Sequence, residues 1–407
     1  MIVNNVISLV ISVVFARLLS DYGAFAALVS YLTILTVAGQ ALQVATAREG
    51  VLGHLGEGEL LLATLERWAK TLALFTVAAT IVSILARQPI ADLVGVKHQA
   101  WAAAAGIPAG CMYLGLCTLR GALQGVGNYR SVALSLIGEA GTRLVAGAIL
   151  AEIGLGVGGA YLGSLVAYVA MTVYCVRCLY ARVAGPEYRR WRLVSAARGA
   201  SGFAGHVWAA AIPIAALAVV QLLQNVDLIT AKHQFSNSVA SSYAVAAVAA
   251  KVLIWVAMGA AFYVVPETSR RHSENLDTRP VLLRALTIIG VCAVPCLLIF
   301  AVGAHPLLSI VFGRKRAIAS ASLLPLGAAF TVLAATYLAV QYMLALKRHW
   351  FLVALAVVAA IEPVLLLNAP KHPASFASVV LLVQVIGAVL MFGIALLRRP
   401  AAVPASA

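Results

Sequence analysis

Apolar residues run along this chain in long blocks, interrupted by clusters of charge and by glycine and proline. Blocks of that kind match the roughly 20 residues that an α-helix needs to cross about 30 Å of hydrocarbon. Cut at those breaks, the pattern predicts helices over 1–19, 23–47, 69–87, 99–119, 131–152, 155–180, 207–230, 239–266, 281–302, 318–345, 350–369 and 375–397. The expected fold class is an all-α integral membrane protein of about twelve transmembrane helices. The first run, from Met1 to Ala16, has no basic segment before it and no small-residue cleavage signal before Arg17, so it does not read as a removed signal peptide. It is short: sixteen helical residues reach roughly 24 Å. Either this helix is shallow or the natural chain starts a few residues upstream.

Composition agrees with the pattern. With 63% hydrophobic and 11% charged residues, and a mean hydropathy of +0.98, the chain has too little polar surface to coat a soluble globule of 407 residues. The excess of Lys and Arg, 29 against 14 acids, would suggest nucleic acid in a soluble protein. Here the cations fall between apolar runs, which makes them topology signals and excludes a nucleic-acid partner. Arg48, Arg67, Lys70, Arg120, Arg130 and the basic stretch from Arg177 to Arg198 share one side with later arginines as far as Arg399. The other side holds fewer than half as many, among them Arg17, Arg87, Lys97, Lys232, Arg316 and Lys371. Both termini are therefore expected in the cytoplasm.

The basic stretch also divides the chain near its middle. The expected organisation is an N-terminal six-helix lobe over 1–180, a cytoplasmic linker over 181–206, a C-terminal six-helix lobe over 207–397 and a cytoplasmic tail over 398–407. Faint echoes link the halves: Ala16 and Arg17 followed by Tyr22 resemble Ala231 and Lys232 followed by Tyr243. With six helices per half, the repeats would be parallel and related by an axis along the membrane normal. Chance similarity between Ala-rich helices is the alternative.

Several ordered pieces carry a family resemblance. They are Ala16 to Leu19 (ARLL), Asp21 to Gly23 (DYG), Leu119 to Tyr129 (LRGALQGVGNY), Glu139 with Arg143, Gly154 to Ala160 (GLGVGGA), Gln224 to Asp227 (QNVD) and Val265 to Glu267 (VPE). Together they resemble the polysaccharide flippases, Wzx-like, of the multidrug/oligosaccharidyl-lipid/polysaccharide exporter superfamily. The resemblance implies two six-helix lobes around a central cavity; no cofactor is expected. It implies flipping of an undecaprenyl-pyrophosphate-linked oligosaccharide from the cytoplasmic to the outer leaflet of the bacterial inner membrane. A polysaccharide polymerase and glycosyltransferases would be its partners.

Charges inside the apolar runs are the candidate site, because they are expensive in hydrocarbon and usually face a bundle interior. A pyrophosphate and its sugars cannot pass through hydrocarbon unaided, so a polar cavity with cations is required. Arg143 sits near mid-bilayer, with Glu139 one turn before it at ion-pair spacing. The pair reads as a pyrophosphate contact with its tuner or proton carrier, or as a structural clamp. Lys251, twelve residues into its run, is a candidate cavity lining. Glu362 beside Pro363 is a candidate titrating group for ion coupling, or a partner for Lys251. Arg17 and Asp227 fall near the outer face, Arg17 as a possible head-group contact and Asp227 as a possible coupling group, with snorkelling as the bland reading of both. Arg48 and Arg120 at cytoplasmic helix ends read either as positive-inside markers or as a rim that recruits pyrophosphate.

Other patterns carry no chemistry. Gly154 to Gly159 matches a dinucleotide fingerprint, but no strand precedes it, so a tight turn and close helix packing are expected. Cys175 and Cys178 have metal-ligand spacing without a second pair, so no metal is expected. No nucleophile or paired-carboxylate constellation supports an enzyme. Competing readings are a drug or small-molecule exporter of the same superfamily, which would need fewer cavity cations, and a membrane-embedded glycosyl or acyl transferase, which would need catalytic clusters on larger loops.

Overall fold

The computed structural model describes residues 2–56, 58–183, 202–274, 276–346 and 348–396. Most of the expected basic linker, 184–201, and the tail from 397 onward lie outside the described residues. Among the described residues the secondary structure is helical throughout. In chain order the helices are α1 (Ile2–Leu18), α2 (Tyr22–Val51), α3 (Glu59–Leu85), α4 (Arg87–Val94), α5 (Ala100–Gly125), α6 (Tyr129–Leu150) and α7 (Gly156–Val183). They continue with α8 (Phe203–Ala209), α9 (Ala211–Gln234), α10 (Asn237–Ala250), α11 (Val252–Ser273) and α12 (Arg279–Phe312). The last three are α13 (Leu323–Ala345), α14 (Phe351–Leu367) and α15 (Pro373–Leu396).

Nine helical stretches among these residues are long and apolar enough to cross a membrane. One of them, Tyr129–Val183, is two helices, α6 and α7, joined by a sharp turn, and two shorter apolar helices, α1 and α14, join the set to give twelve. The protein is a multi-pass, all-α membrane protein.

Local chemistry sets the helix starts and turns. Asp21 caps α2, its side chain accepting from the backbone N–H of Ala24 at 3.0 Å, and Asn128 caps α6 through the N–H of Ser131 at 3.3 Å. Between α6 and α7, Gly154 at φ +104° and Gly156 at φ +50° adopt conformations that other residues resist. A Cβ on Gly163 would lie 2.5 Å from Cα of Gly147, so the two helices touch backbone to backbone beyond the turn. The expected glycine turn is therefore present, with close helix packing as its companion.

Two helices differ from the hydropathy pattern. α3 begins at Glu59 rather than near 69, because Glu66, Arg67 and Lys70 interrupt the apolar run without interrupting the helix. The predicted helix over 239–266 is broken at Lys251 into α10 and α11.

Contacts divide the chain into two compact units. The first comprises the described residues of 1–248 with 305–320, and the second those of 249–304 with 321–407. In the first unit α2 packs along α5 and α9, and α6 along α7; in the second, α13 packs on α11 and α15. Gly50 and Gly125 bring α2 and α5 into backbone contact, since a Cβ on either would lie within about 3 Å of the other's Cα. α2 and α13 are the most enclosed of the long helices and α3 and α12 the least, the latter pair presenting apolar side chains outward as lipid-facing helices do.

Candidate functional site

Glu139 stands on the enclosed face of α6, one turn after Ser135 and one turn before Arg143. Residues on the opposite side of the same helix, Leu134, Ile137 and Val145, are exposed and apolar, as a lipid-facing stripe should be. Arg143 pairs with Glu139 through Oε1, as the four-residue spacing predicts. A second guanidinium reaches the same carboxylate from α5: Nη1 of Arg120 lies 2.9 Å from Oε2 of Glu139. Arg120 is fully buried and also donates from Nε to the Ser135 hydroxyl at 2.8 Å and from Nη2 to the Ser135 carbonyl at 2.9 Å.

Both carboxylate oxygens are thus engaged, each by a different cation. Two guanidiniums against one carboxylate leave the cluster with a net positive charge inside the membrane region. Arg120 is enclosed, whereas a quarter of the Arg143 side chain is accessible, and its Nε is buried without a hydrogen-bond partner. The surplus charge therefore presents itself through Arg143, on the inward side of α6. Tyr113 and Tyr168, with ring centroids 5.0 Å apart, lie within electrostatic reach of this cluster.

The other sequence-derived candidates are placed separately. Arg48 is exposed at the end of α2 and lines a cleft of about 510 Å³ with Gln124, Tyr129, Val51 and Leu52. Arg17 donates to the carbonyls of Ile310 and Val311, both at 2.8 Å. Asp227 is buried on α9, with the Tyr243 hydroxyl 3.3 Å from its Oδ2. In the second unit Lys251 is buried at the break between α10 and α11, its ammonium 5.4 Å from the ring centroid of Phe330. Glu362 is fully buried on α14 and accepts from Nε2 of Gln384 at 3.1 Å.

Of these residues the fold brings together Arg120, Glu139 and Arg143. Sequence reasoning placed Arg120 at a helix end and missed its contact with Glu139, because nineteen residues and a change of helix separate them. Ser135 was also missed, although its spacing from Glu139 put both on one face. The pairing of Lys232 with Asp21, at 2.7 Å, crosses more than two hundred residues and has no sequence signal.

Among solved structures, the chain is similar to an inward-facing multidrug resistance MATE family transporter of the MOP superfamily. The TM-score is 0.70 at 13% identity, over 96% of this chain and 94% of that one. The lipid II flippase MurJ, in an inward closed conformation, also gives a TM-score of 0.70, at 15% identity over 96% and 85% of the two chains. The Vibrio cholerae MATE transporter VcmN gives 0.65 at 14% identity, over 97% and 93%. The fold is that of MOP transporters. No family model and no curated protein matches the sequence. The similarity in fold covers the chain almost end to end, and α5 and α6, which carry the charge cluster, are long and apolar enough to cross a membrane.

Proposed function

We propose that the protein flips an anionic lipid-linked glycan, with undecaprenyl pyrophosphate as the expected carrier, from the cytoplasmic to the outer leaflet of a bacterial inner membrane by alternating access. The observation that supports this reading is the surplus positive charge of the Arg120–Glu139–Arg143 cluster, held inside the membrane region and accessible through Arg143. A pyrophosphate leaving water needs compensating charge, and a guanidinium with unused donors supplies it as charge-assisted hydrogen bonds. Lys251 provides a second buried cation in the other unit. Arg48, in its cleft at the end of α2, is proposed to meet the head group on entry. Arg120 is proposed to hold Glu139 in place, and Glu362, Asp227 and Glu139 are the proposed groups for ion coupling. A polymerase and glycosyltransferases acting on the same glycan are the proposed partners.

The second reading is a drug exporter, favoured by the MATE transporters among the structural neighbours. A site for cationic drugs needs an accessible acid. Glu139 is spent on two guanidiniums, and Asp227 and Glu362 are fully buried. These features favour an anionic substrate.

The test uses Arg143→Ala and Lys251→Ala in cells that make the glycan. Each should cause lipid-linked glycan to accumulate on the cytoplasmic leaflet while the protein stays at normal abundance in the membrane. Normal export from well-expressed variants, or loss of drug efflux in its place, would sink the flippase reading.

A further inference from the structure

The ends of α1 and α12 cap one another. Arg17, in the last turn of α1, donates from Nη2 to the carbonyls of Ile310 and Val311 in the last turn of α12. Arg316, just beyond α12, returns the contact: its Nε donates to the carbonyl of Ala16 at 3.0 Å. Its Nη2 donates to those of Leu19 at 2.5 Å and Ser20 at 3.3 Å. Carbonyls at a helix C-terminus lack intrahelical partners and carry the negative end of the helix dipole, so a guanidinium is well suited to each. Here the two cations are exchanged, each helix end being closed by the other's arginine.

The segment that carries this exchange is set apart from the rest of its helix. Up to Ala304, α12 clusters with the second unit, but residues 305–320 cluster with the first. The changeover follows Gly303, where the backbone leaves helical geometry at φ −116° and ψ 18° and a Cβ would meet nothing within 4 Å. Leu308 and Phe312, beyond that point, are buried. Gly313, at φ +100°, then ends the helix and turns the chain toward Arg316.

We propose that residues 305–320 are a strap, hinged at Gly303 and fastened to the end of α1 by the reciprocal caps of Arg17 and Arg316, which releases when that end of the first unit opens during transport. The inference rests on the alternating-access reading, but its test does not need the substrate. The fastening suits a reversible contact. Arg17 is exposed, so water can take over its carbonyl bonds as they break, which a buried ion pair would not permit. Losing several hydrogen bonds to charged donors at once shifts a closed-to-open equilibrium by roughly tenfold or more.

The experiment uses the full chain in lipid nanodiscs, where both faces are open to reagent. The six native cysteines are replaced by alanine, and Leu308→Cys serves as a buried reporter. The paired change Arg17→Gln with Arg316→Gln should raise maleimide labelling of that thiol roughly tenfold. Each single change should give an intermediate rise, and Gly303→Ala should oppose it by stiffening the hinge. Hydrogen exchange across 305–320 in the chain with native Leu308 provides a second readout and should accelerate without change in α6 and α7. Unchanged labelling and exchange in the double variant would overturn the strap. So would acceleration spread evenly over all helices, which would mark general destabilisation.

Discussion

Glu139 is paired with Arg120 as well as with Arg143: Nη1 of Arg120 lies 2.9 Å from its Oε2, while Arg143 occupies Oε1. Removing Arg143 therefore leaves the carboxylate compensated, which reverses the order of damage that an isolated Glu139–Arg143 pair would give. Arg143→Ala should melt close to the parent protein, whereas Glu139→Gln leaves two guanidiniums, one fully buried, without their counter-ion and should cost about 3–5 kcal/mol. Thermal melting in detergent and membrane abundance measure both. Equal damage from the two changes would mean that Arg120 does not hold Glu139.

Gly163 and Gly141 form a matched test of the α6–α7 contact. A Cβ at Gly163 would lie 2.5 Å from the backbone of Gly147 and 2.9 Å from the carbonyl of Arg143, whereas one at Gly141 meets nothing within 4 Å. Gly163→Ala should destabilise by about 1–3 kcal/mol through overpacking. Gly141→Ala should be neutral or stabilising by about 0.5–1 kcal/mol, because alanine is the better helix former. The comparison is read in melting temperature, and a stabilising Gly163→Ala would refute the close contact.

His206 gives α8 a pH-dependent attachment. Its ring stacks on Trp68 of α3 at 4.7 Å, and its Nε2 lies 3.0 Å from the Thr46 hydroxyl of α2. Burial holds the imidazole below its ordinary pKa, with Glu49 of α2 partly offsetting the effect. An undocked histidine takes its proton near about 6.5 while the docked one resists. The attachment is thus at full strength above that value and weakens as pH falls toward the depressed one. Hydrogen exchange of 203–209 should be slow at neutral pH and speed up on acidification, and His206→Gln should flatten the profile. A flat profile in the parent protein would count against docking by neutral His206.

Membrane orientation is checked by reporter fusions. Those placed after Arg190 and after Arg399 should report cytoplasm, and one after Arg316 the outside. An external Arg190 would overturn the proposed twelve-helix topology.

The sequence by itself determined that the protein lives in a membrane, roughly how many helices cross it, and which charges are anomalous. Those properties depend on summed hydropathy, which is additive along the chain and needs no knowledge of neighbours. It also determined the turn at Gly154, because positive φ restricts the choice of residue, and the pairing of Glu139 with Arg143, because helix periodicity places them on one face. Only the tertiary structure decided that Arg120 completes that pair from α5, that α3 continues through Glu66 and Arg67, that the helix breaks at Lys251, and that Arg17 closes α12. Each of these depends on which helix lies beside which. A buried guanidinium takes whatever acceptor packing brings within about 3 Å, and that choice is made in space between residues the chain keeps far apart.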